Sequence, residues 1–274
     1  MSKRFFLKSA ACAVIALASL GAHAQDALAR VQKAGVIKVG TETEFAPFDF
    51  IKEGDHVGLN VDLFNELAKD LGVKLEWVLL PWDGVLPGLE AKKFDIVAGP
   101  ATINKARMER YKFSPPIADA TVGLLKRAND SSINKPADIA GKAVGSGKAT
   151  SQLTQLKQYG DTLPGKVDAR EYPGFNEAYA DLAAGRIVAV ANSMVNLASV
   201  VQERPGTYAL VKPGFGAKSY LGFIWRKDAD SESLVKALDS AILKMKADGR
   251  LGKMQKKWLG DAPELPDAVT TPNF

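Results

Sequence analysis

The sequence predicts an α/β protein of two lobes, each built on a mostly parallel sheet flanked by helices. Strand-like and helical segments alternate from residue 35 to residue 99, and the alternation starts afresh near residue 136. Such alternation is typical of parallel sheets whose strands are connected by helices. Two long apolar segments, IADATVGLLKRA from Ile117 and YLGFIWRK from Tyr220, interrupt the pattern. We interpret them as strands that cross between the lobes and form a hinge.

The first lobe is predicted from a run of alternating elements. Its segments are the strand-like runs VIKVG and FAPFDF, the helix NVDLFNELAKDL with Gly72 as its C-cap, the strand VKLEWVLL, a helix over 83–92 and the buried strand FDIVAG. Asp83 is interpreted as the N-cap of the helix that follows it. Because Gly99 and Pro100 come next, the last strand is expected to end there.

The second lobe is predicted from the segments that follow the first crossing. They are a short helix over 136–139, the strand KAVGS, a helix over 150–159, the strand VDAREY, a helix over 177–184, the strand IVAVAN and a helix over 194–203. The C-terminal region is helical again, with apolar residues on one face, and ends in a Pro-rich loop. This divides the chain into lobe 1 over 25–120 and 222–274, and lobe 2, inserted, over 121–221.

The first 24 residues are predicted to be a signal peptide. Lys3, Arg4 and Lys8 precede an apolar run that is too short to span a bilayer, and AHA at 22–24 supplies a cleavage site. Removing these three cations takes the formal charge from +5 to +2. The remaining Lys and Arg are mixed with Asp and Glu, which indicates no nucleic-acid partner. The one cysteine, Cys12, lies in this leader, so the rest of the chain is expected to be stable by burial alone.

A candidate site follows the strand FDIVAG. Thr102 offers a hydroxyl, and Arg107 lies five residues later, beyond the tip of the strand. A guanidinium has a planar fork of donors, which suits a bidentate contact with a carboxylate. The simpler alternative is that Arg107 pairs with Glu109 or faces solvent. Ligands of open α/β sheets bind outside the carboxyl ends of the strands, so two facing lobes would enclose a cleft here.

The chain resembles the polar amino-acid family of bacterial periplasmic solute-binding proteins. The runs that carry the resemblance are GVIKVGTETEFAPFDF, VGLNVDLFNELAKDLGVKLEWV, WDGVLPGLEAKKFDIV, TINKARMERYKFSPPI, ADIAGKAVG, LAAGRIVAV and ALDSAILKMKADGRLGKMQKKW. They cover essentially the whole chain after the leader, in order. The resemblance implies a periplasmic, monomeric protein without cofactor or metal. It would close on an amino-acid-like ligand and deliver that ligand to the permease subunits of an ABC importer in the inner membrane.

The resemblance also implies roles for particular residues. The candidate ligand-binding set is Glu42, Phe45, Trp82, Pro100, Thr102, Arg107, Thr150 and Ser193. Arg107 would hold the ligand's α-carboxylate with Thr150 opposite it, Thr102 would face the ligand, and the Pro100 carbonyl could accept from an ammonium group. Phe45 and Trp82 would sandwich the ligand. The plain alternatives are that the aromatic residues are core and that Thr102 caps the turn after it.

The loop VGSGKATSQ, from Val144, is expected to open a helix and present free N–H groups to the ligand carboxylate. It superficially suggests a phosphate-binding loop. However, Ala149 stands where such a loop needs Ser or Thr, so nucleotide binding is rejected.

The sequence departs from the family at Ser193, in GRIVAVANSM. Relatives that bind standard α-amino acids usually carry Asp here, which neutralises the ligand's α-ammonium. A hydroxyl supplies no charge, and Ser193 is equally suited to be the N-cap of the following helix. Two explanations remain open. Either Glu42 or Glu44 is the negative partner, Glu42 matching a position that contacts basic side chains in some relatives, or the ligand lacks an ordinary primary α-ammonium.

An enzyme is the alternative, because periplasmic cyclohexadienyl dehydratases share this fold. After the leader the sequence has a single histidine, His56, and neither an HExxH nor a GxSxG segment. Glu171 or Glu42 could serve as a general acid only if buried in the cleft. We therefore expect a binding protein without catalytic residues.

Overall fold

The computed structural model describes residues 26–274, so the predicted signal peptide lies outside the described residues. Within that range no helix is both long enough and apolar enough to cross a membrane.

The described chain forms fourteen strands. They are β1 (Val36–Thr41), β2 (Glu44–Phe45), β3 (Asp49–Lys52), β4 (Asp55–Val57), β5 (Lys74–Leu79), β6 (Ile96–Thr102), β7 (Tyr111–Phe113), β8 (Ala118–Asp119), β9 (Val122–Arg127), β10 (Ala143–Gly147), β11 (Asp168–Tyr172), β12 (Ala189–Ser193), β13 (Tyr208–Val211) and β14 (Tyr220–Arg226).

Nine α-helices lie between and after these strands in the same part of the chain. They are α1 (Ala27–Ala34), α2 (Leu59–Leu71), α3 (Trp82–Glu90), α4 (Lys105–Arg110), α5 (Ser151–Asp161), α6 (Phe175–Ala183), α7 (Met194–Glu203), α8 (Glu232–Ala247) and α9 (Arg250–Leu259). Short 3₁₀ turns occur at Pro136–Ile139 and Ala229–Ser231. The predicted helices and strands are thus present, with ends that move by a few residues, as is usual for boundaries read from sequence.

Two mixed sheets define the two lobes. The six-stranded sheet has the order β5-β1-β6-β14-β7, with β8 paired to β14, and we call the half around it lobe 1. The five-stranded sheet has the order β11-β10-β12-β9-β13 and belongs to lobe 2. In each sheet three strands are parallel, and the crossing strand, β14 or β9, runs antiparallel to them. A small three-stranded sheet, β2-β3-β4, adds to lobe 1.

The predicted single strand from Ile117 to Ala128 is wrong, because the chain forms two strands there. β8 pairs with β14 in lobe 1, whereas β9 pairs with β12 and β13 in lobe 2. The break has a local cause, since the Asp119 side chain accepts a hydrogen bond from the Thr121 N–H at 2.7 Å. An Asp side chain bonded to the backbone two residues on makes a turn that competes with the strand. The chain therefore changes sheets at Ala120–Thr121.

The expected end of the strand FDIVAG at Gly99 and Pro100 is also wrong, since β6 continues to Thr102. Its parallel pairing with β1 stops at Val97, and the opposite ladder with β14 has a register shift between Gly222 and Ile224. A proline has no N–H to donate, so it is tolerated where the ladder is irregular.

One hydrophobic core runs through both lobes. It contains Phe45 and Phe48 from lobe 1 together with Phe175 and Tyr179 from lobe 2. The rings of Phe45 and Phe175 lie 5.9 Å apart. Because apolar side chains of the two lobes touch directly, the structure is a closed form.

Candidate ligand-binding cleft

The candidate residues lie where the carboxyl ends of parallel strands face each other. In lobe 1 Glu42 follows β1, Trp82 follows β5, and Thr102 ends β6, which leads to Arg107. In lobe 2 Thr150 follows β10 and Ser193 ends β12. Parallel strands present their carboxyl ends at one edge of a sheet, and ligands bind there. The candidate residues of both lobes therefore lie at the facing edges of the two sheets.

Arg107 is half-buried in the first turns of α4, which Asn104 caps by accepting from the Arg107 N–H at 2.8 Å. Its guanidinium donates to the Thr102 carbonyl at 3.1 Å and lies 5.5 Å from the Trp82 ring centre. Burial lowers the pKa of Arg107 to about 10. Between residues 26 and 274 it forms no ion pair, so it does not pair with Glu109. A half-buried cation without a counter-charge is suited to accept an anionic ligand.

Thr102 is almost fully buried, and its hydroxyl oxygen has no hydrogen-bond partner in the described chain. Buried polar groups are nearly always paired, so an unpaired one needs an explanation. The Thr102 carbonyl is already bonded to Arg107. The free hydroxyl belongs to the residue whose carbonyl holds the guanidinium, so a ligand carboxylate at Arg107 is its candidate partner.

Replacing Thr102 with valine tests this pairing, because the change removes the hydroxyl at nearly constant shape. We expect ligand affinity to fall about tenfold, for the loss of one hydrogen bond to a charged group. The unliganded protein should unfold at an equal or slightly higher temperature, since an unsatisfied buried group is lost. Calorimetric titration and thermal melting measure the two effects. Thr162→Val, at an exposed hydroxyl, is the control, and a lower melting temperature for Thr102→Val would contradict the prediction.

The two candidate aromatic residues are placed differently. Trp82 begins α3 and presents its ring to Arg107, while its indole N–H donates to the Ala149 carbonyl of lobe 2 at 3.2 Å. Phe45 stacks on Phe48 at 5.8 Å and meets Phe175 across the cleft. Trp82 thus lies beside the Arg107 guanidinium, whereas Phe45 packs against the rings of Phe48 and Phe175. Pro100 lies on the stretch of β6 that has no partner strand on the β1 side.

Glu42 is 7% exposed, and its side chain makes no hydrogen bond or ion pair with any described residue. Burial first, and then the neighbouring carboxylates of Asp49 and Glu44, raise the pKa of Glu42 to about 8. Asp49 itself is held by His56 at 3.2 Å and by Asn60 at 2.5 Å. Glu42 is therefore a buried acidic side chain beside Trp82 that has no partner among the described residues.

Glu44 reaches the other lobe. Its carboxylate accepts from the Asn176 N–H in the first turn of α6 at 3.3 Å. Burial raises the pKa of Glu44, and the Asn176 bond opposes that rise. The contact depends on glycine at position 174, because a Cβ there would stand 1.9 Å from a Glu44 carboxylate oxygen and would push the Glu44 side chain aside. Glu44 therefore serves as a cap for a helix of the opposite lobe.

Thr150 is the N-cap of α5. Its hydroxyl accepts from the Leu153 N–H at 3.1 Å and donates to the Gly147 carbonyl at 2.7 Å. With the hydroxyl engaged twice, the groups left to meet an anion are the N–H groups of the first turn of the helix. The neighbouring Ala149 has φ of +58°, a left-handed conformation that turns its carbonyl to Trp82.

Ser193 is fully buried at the N-cap position of α7, but its hydroxyl makes no cap bond. It donates instead to the Asn196 side chain, whose amide group donates to the Ala46 carbonyl of lobe 1 at 2.7 Å. Asn192 bonds the Tyr179 hydroxyl at 3.1 Å. Ser193 thus supports a contact between the lobes through Asn196.

The interpretation of Asp83 as an N-cap is wrong. Pro81 is the cap residue of α3, and Asp83 lies inside the first turn, where it pairs with Lys148 of lobe 2 at 3.1 Å. A second polar contact near the same rim joins Asn104 to the Ser151 hydroxyl at 2.9 Å. The rim of the cleft is therefore closed by side chains from both lobes.

The rim pair predicts a modest effect of Lys148→Ala. Both side chains are partly exposed, so the pair contributes about 1 kcal/mol or less, and ligand affinity should fall about two- to fivefold through faster dissociation. Raising the ionic strength should bring the wild type towards the variant. Lys157→Ala, which breaks the Lys157–Glu171 pair within lobe 2, is the control in stopped-flow dissociation measurements. Equal rates for both variants would contradict the prediction.

Two of the cavities between the lobes are lined by Glu44. One, of about 280 Å³, is lined by Glu42, Glu44, Trp82, Gly174 and Glu177, and we call it the Trp82 cavity. The other, of about 540 Å³, is lined by Glu44, Asn176, Asn192, Asn196, Glu203 and Arg204, and we call it the Arg204 cavity. Among residues 26–274 no group of three or more His, Cys, Asp or Glu side chains is arranged to hold a metal ion.

Sequence reasoning missed most of the contacts between the lobes. Phe175, Lys148 and Asn196 carry no recognisable motif, because each is defined by a partner far away in the chain. Of these three residues only Asn196 has a signal in the sequence, because it is a polar residue within the apolar segment MVNLASVV. A buried amide in a helix needs hydrogen-bond partners.

Two lobes are joined by two crossings, and a guanidinium and a carboxylate between them have no ion-pair partner in the described part of the chain. These features define a protein that closes on a small ligand. The sequence model of the bacterial extracellular solute-binding proteins, family 3, matches residues 37–261. The chain therefore belongs to this family.

Its relatives include proteins with named ligands. The chain is 33% identical to the L-cystine-binding protein TcyJ of Escherichia coli (strain K12), over 91% of this chain and 92% of that one. It is also 33% identical to the lysine/arginine/ornithine-binding periplasmic protein of Escherichia coli (strain K12), over 81% of this chain and 86% of that one. Among solved structures, the ancestral amino acid-binding protein AncCDT-1, described as a precursor of cyclohexadienyl dehydratase, superposes with a TM-score of 0.76 at 30% identity, covering 85% and 99% of the two chains.

Proposed function

We propose that the protein is the periplasmic substrate-binding component of an ABC importer and captures an amino acid between its lobes. The observation that carries this is a guanidinium and a carboxylate, those of Arg107 and Glu42, which both lie beside Trp82 and have no ion-pair partner among residues 26–274. Arg107 can hold a carboxylate, with the Thr102 hydroxyl and the first turn of α5 beside it. Glu42 can hold an ammonium or guanidinium group. A zwitterion satisfies both ends at once.

The absence of an acid at position 193 directs the choice of ligand. The Ser193 hydroxyl is engaged with Asn196, so the α-ammonium group has no carboxylate there. Glu44 is partly satisfied by Asn176, which leaves Glu42 as the better counter-charge. We therefore propose as ligands the amino acids that carry a second positive group, with lysine, arginine and ornithine as single-headed candidates and L-cystine as a two-headed one.

Export by the signal peptide at 1–24 and delivery to permease subunits belong to the same proposal. The names of two relatives support export and delivery. One is named as an L-cystine-binding protein, and the other as a lysine/arginine/ornithine-binding periplasmic protein. The segments at Ala120–Thr121 and between β13 and β14 are proposed as the hinge, with the protein acting as a monomer.

The test is a thermal-shift screen of the exported chain against single amino acids, L-cystine and N-substituted amino acids, followed by calorimetry. A ligand at a hundredfold excess over its dissociation constant adds about 2.7 kcal/mol, or a shift of about 5–10 °C for a chain of this size. Shifts confined to amino acids with a second positive group are expected. A screen in which no amino acid shifts the melting temperature would reject the proposal.

Dehydration is the second candidate, because Glu42 is buried and its pKa of about 8 suits a general acid. The relatives compared above are named as binding proteins. AncCDT-1 is itself named as an amino acid-binding protein and is described as a precursor of cyclohexadienyl dehydratase. We therefore propose no turnover. Incubation with prephenate or arogenate, followed by ultraviolet detection of the aromatic product, would show the opposite if product accumulated at a rate that Glu42→Gln abolishes.

A further inference from the structure

The segment 262–274 follows the part of the chain that matches the family, and it contains no helix or strand. It is nevertheless held against lobe 1 at two places. The Lys246 ammonium group of α8 donates to the carbonyl of the buried Leu265 at 2.5 Å. Further along, the Phe274 carbonyl accepts from the Lys105 N–H at the start of α4 at 2.8 Å. The segment therefore connects α8 to α4 along the surface of lobe 1, and we call it the strap.

The second crossing passes from one lobe to the other at Lys218. Before this residue, the Ala217 N–H donates to the Gln155 side chain of α5 in lobe 2 at 3.0 Å. After it, the Ser219 carbonyl accepts from the Ala120 N–H of the first crossing at 2.8 Å, and β14 begins in the sheet of lobe 1. Hinges are a few residues whose backbone angles absorb the motion of two rigid parts. Lys218 is therefore the residue at which opening of the cleft would turn the second crossing.

The strap contacts this hinge residue directly. The Asn273 amide donates to the Lys218 carbonyl at 2.6 Å, one residue before the Phe274 contact that fixes the strap to α4. A turn of the backbone at Lys218 changes the direction of its carbonyl, and a hydrogen bond weakens steeply as its angle departs from linear. Because Asn273 is held to lobe 1 by its neighbour, it cannot follow a large turn. The bond therefore favours the closed form.

Two buried polar groups on either side of Lys218 are unpaired in the closed form. The Gln155 side-chain nitrogen and the Ser219 hydroxyl have no hydrogen-bond partner among the described residues, and both residues are buried. Buried polar groups are nearly always paired, and leaving one unpaired costs free energy. The closed hinge thus carries a cost at this point, which the bond from Asn273 to the Lys218 carbonyl partly offsets.

We propose that the strap holds the hinge in the closed form, with Asn273 as a positioning residue that slows ligand release through Lys218. Asn273 would not touch the ligand. Because the ligand leaves through the open form, loss of the Asn273 bond should speed dissociation and leave association nearly unchanged. The expected factor is about two to five, since the bond is exposed to solvent. This inference rests on the proposed function, which supplies the ligand, but the hinge itself can be measured without one.

The first experiment measures the dissociation of L-arginine by stopped flow in Asn273→Ala and Asn273→Asp. Aspartate has nearly the shape of asparagine, but it cannot donate, and its carboxylate would face the Lys218 carbonyl. Both variants should release L-arginine about two to five times faster than the wild type, and the aspartate variant at least as fast as the alanine variant. If Asn273 only filled space, the aspartate variant would behave as the wild type. Asn134→Ala is the matched control, because the Asn134 amide donates to the Ser131 carbonyl at 2.7 Å within lobe 2.

The second experiment measures hydrogen exchange in the ligand-free protein. The Ala217 and Ala120 N–H groups should exchange faster in Asn273→Asp than in Asn134→Ala, whereas the Arg107 N–H in α4 should exchange as in the wild type. Equal exchange at the hinge, or a wild-type dissociation rate in Asn273→Asp, would overturn the inference and leave amino-acid binding standing. If no amino acid binds the wild type, the proposed function fails, and the exchange rates alone decide whether the strap holds the hinge.

Discussion

Replacing Arg107 with alanine is expected to weaken amino-acid binding about a hundredfold or more, because a charge-assisted pair in a desolvated cleft is worth a few kcal/mol. The unliganded fold should be nearly unchanged. Within residues 26–274 the guanidinium has one hydrogen bond, to the Thr102 carbonyl, and no ion pair. Removing an uncompensated buried cation costs the folded protein little. Calorimetry measures the affinity, and circular dichroism with thermal melting checks the fold.

The matched control is Arg110→Ala, on the same helix. Arg110 pairs with Glu90 on the surface and does not reach the cleft, so its removal should change affinity less than twofold. Arg107→Lys should fall between alanine and the wild type, since it keeps the charge and loses the fork of donors. An Arg107→Ala protein that binds within fivefold of the wild type would mean that the carboxylate is held elsewhere.

Binding of L-arginine is expected to tighten as the pH rises from 6 to 8. Burial, with Asp49 and Glu44 nearby, raises the pKa of Glu42 to about 8, so the free protein carries a neutral Glu42 at pH 6. A cationic group binds the ionised form, so binding releases the proton. Below the pKa of the free form each pH unit changes the affinity about tenfold, which predicts a gain of roughly 50-fold over this range. The charges of arginine itself do not change between these pH values.

Titrations in two buffers of different ionisation enthalpy would count the released proton. Glu42→Gln should flatten the pH profile and lower the affinity at pH 8, whereas Arg110→Ala should keep the wild-type slope. Other groups face this region, namely His56 on Asp49, Glu177 beside Glu44, and the Tyr179 hydroxyl. His56→Gln tests the histidine separately. Because Glu42 is unchanged in this variant, its affinity should depend on pH as that of the wild type does. A flat wild-type profile would show that Glu42 does not meet the cation.

The sequence predicted what depends on neighbours along the chain. Thr102 and Arg107 lie in one segment after a buried strand. The apolar runs, and the alternation of strand-like and helical segments, were enough to place that strand and its neighbours. It could not place the turn at Asp119 and Thr121, since both flanking segments are apolar and only a side-chain hydrogen bond divides them. It also missed β13, a four-residue strand that pairs with β9 at the edge of its sheet.

The contacts between the lobes lay beyond sequence reasoning for a different reason. Asp83 and Lys148 are 65 residues apart, and Glu44 and Asn176 are 132 apart. Each residue has a plain local explanation, as a helix cap or a solvated charge, and that explanation is the more common one for such residues. For Asp83 it led to the wrong role. Only the folded arrangement brings the two partners together.

The rim of the cleft gives this protein a way to change how tightly it binds without changing what it binds. The Asp83–Lys148 pair, the Trp82–Ala149 bond and the Asn104–Ser151 bond favour closure whatever the cleft contains. Free energy that the rim contributes to closure appears in full in the measured affinity for every ligand alike. Substitutions at Lys148 or Ser151 would therefore scale the whole ligand spectrum up or down together. Homologues serving rich and poor environments could diverge in sensitivity through such surface residues while their selectivity stayed fixed in the interior.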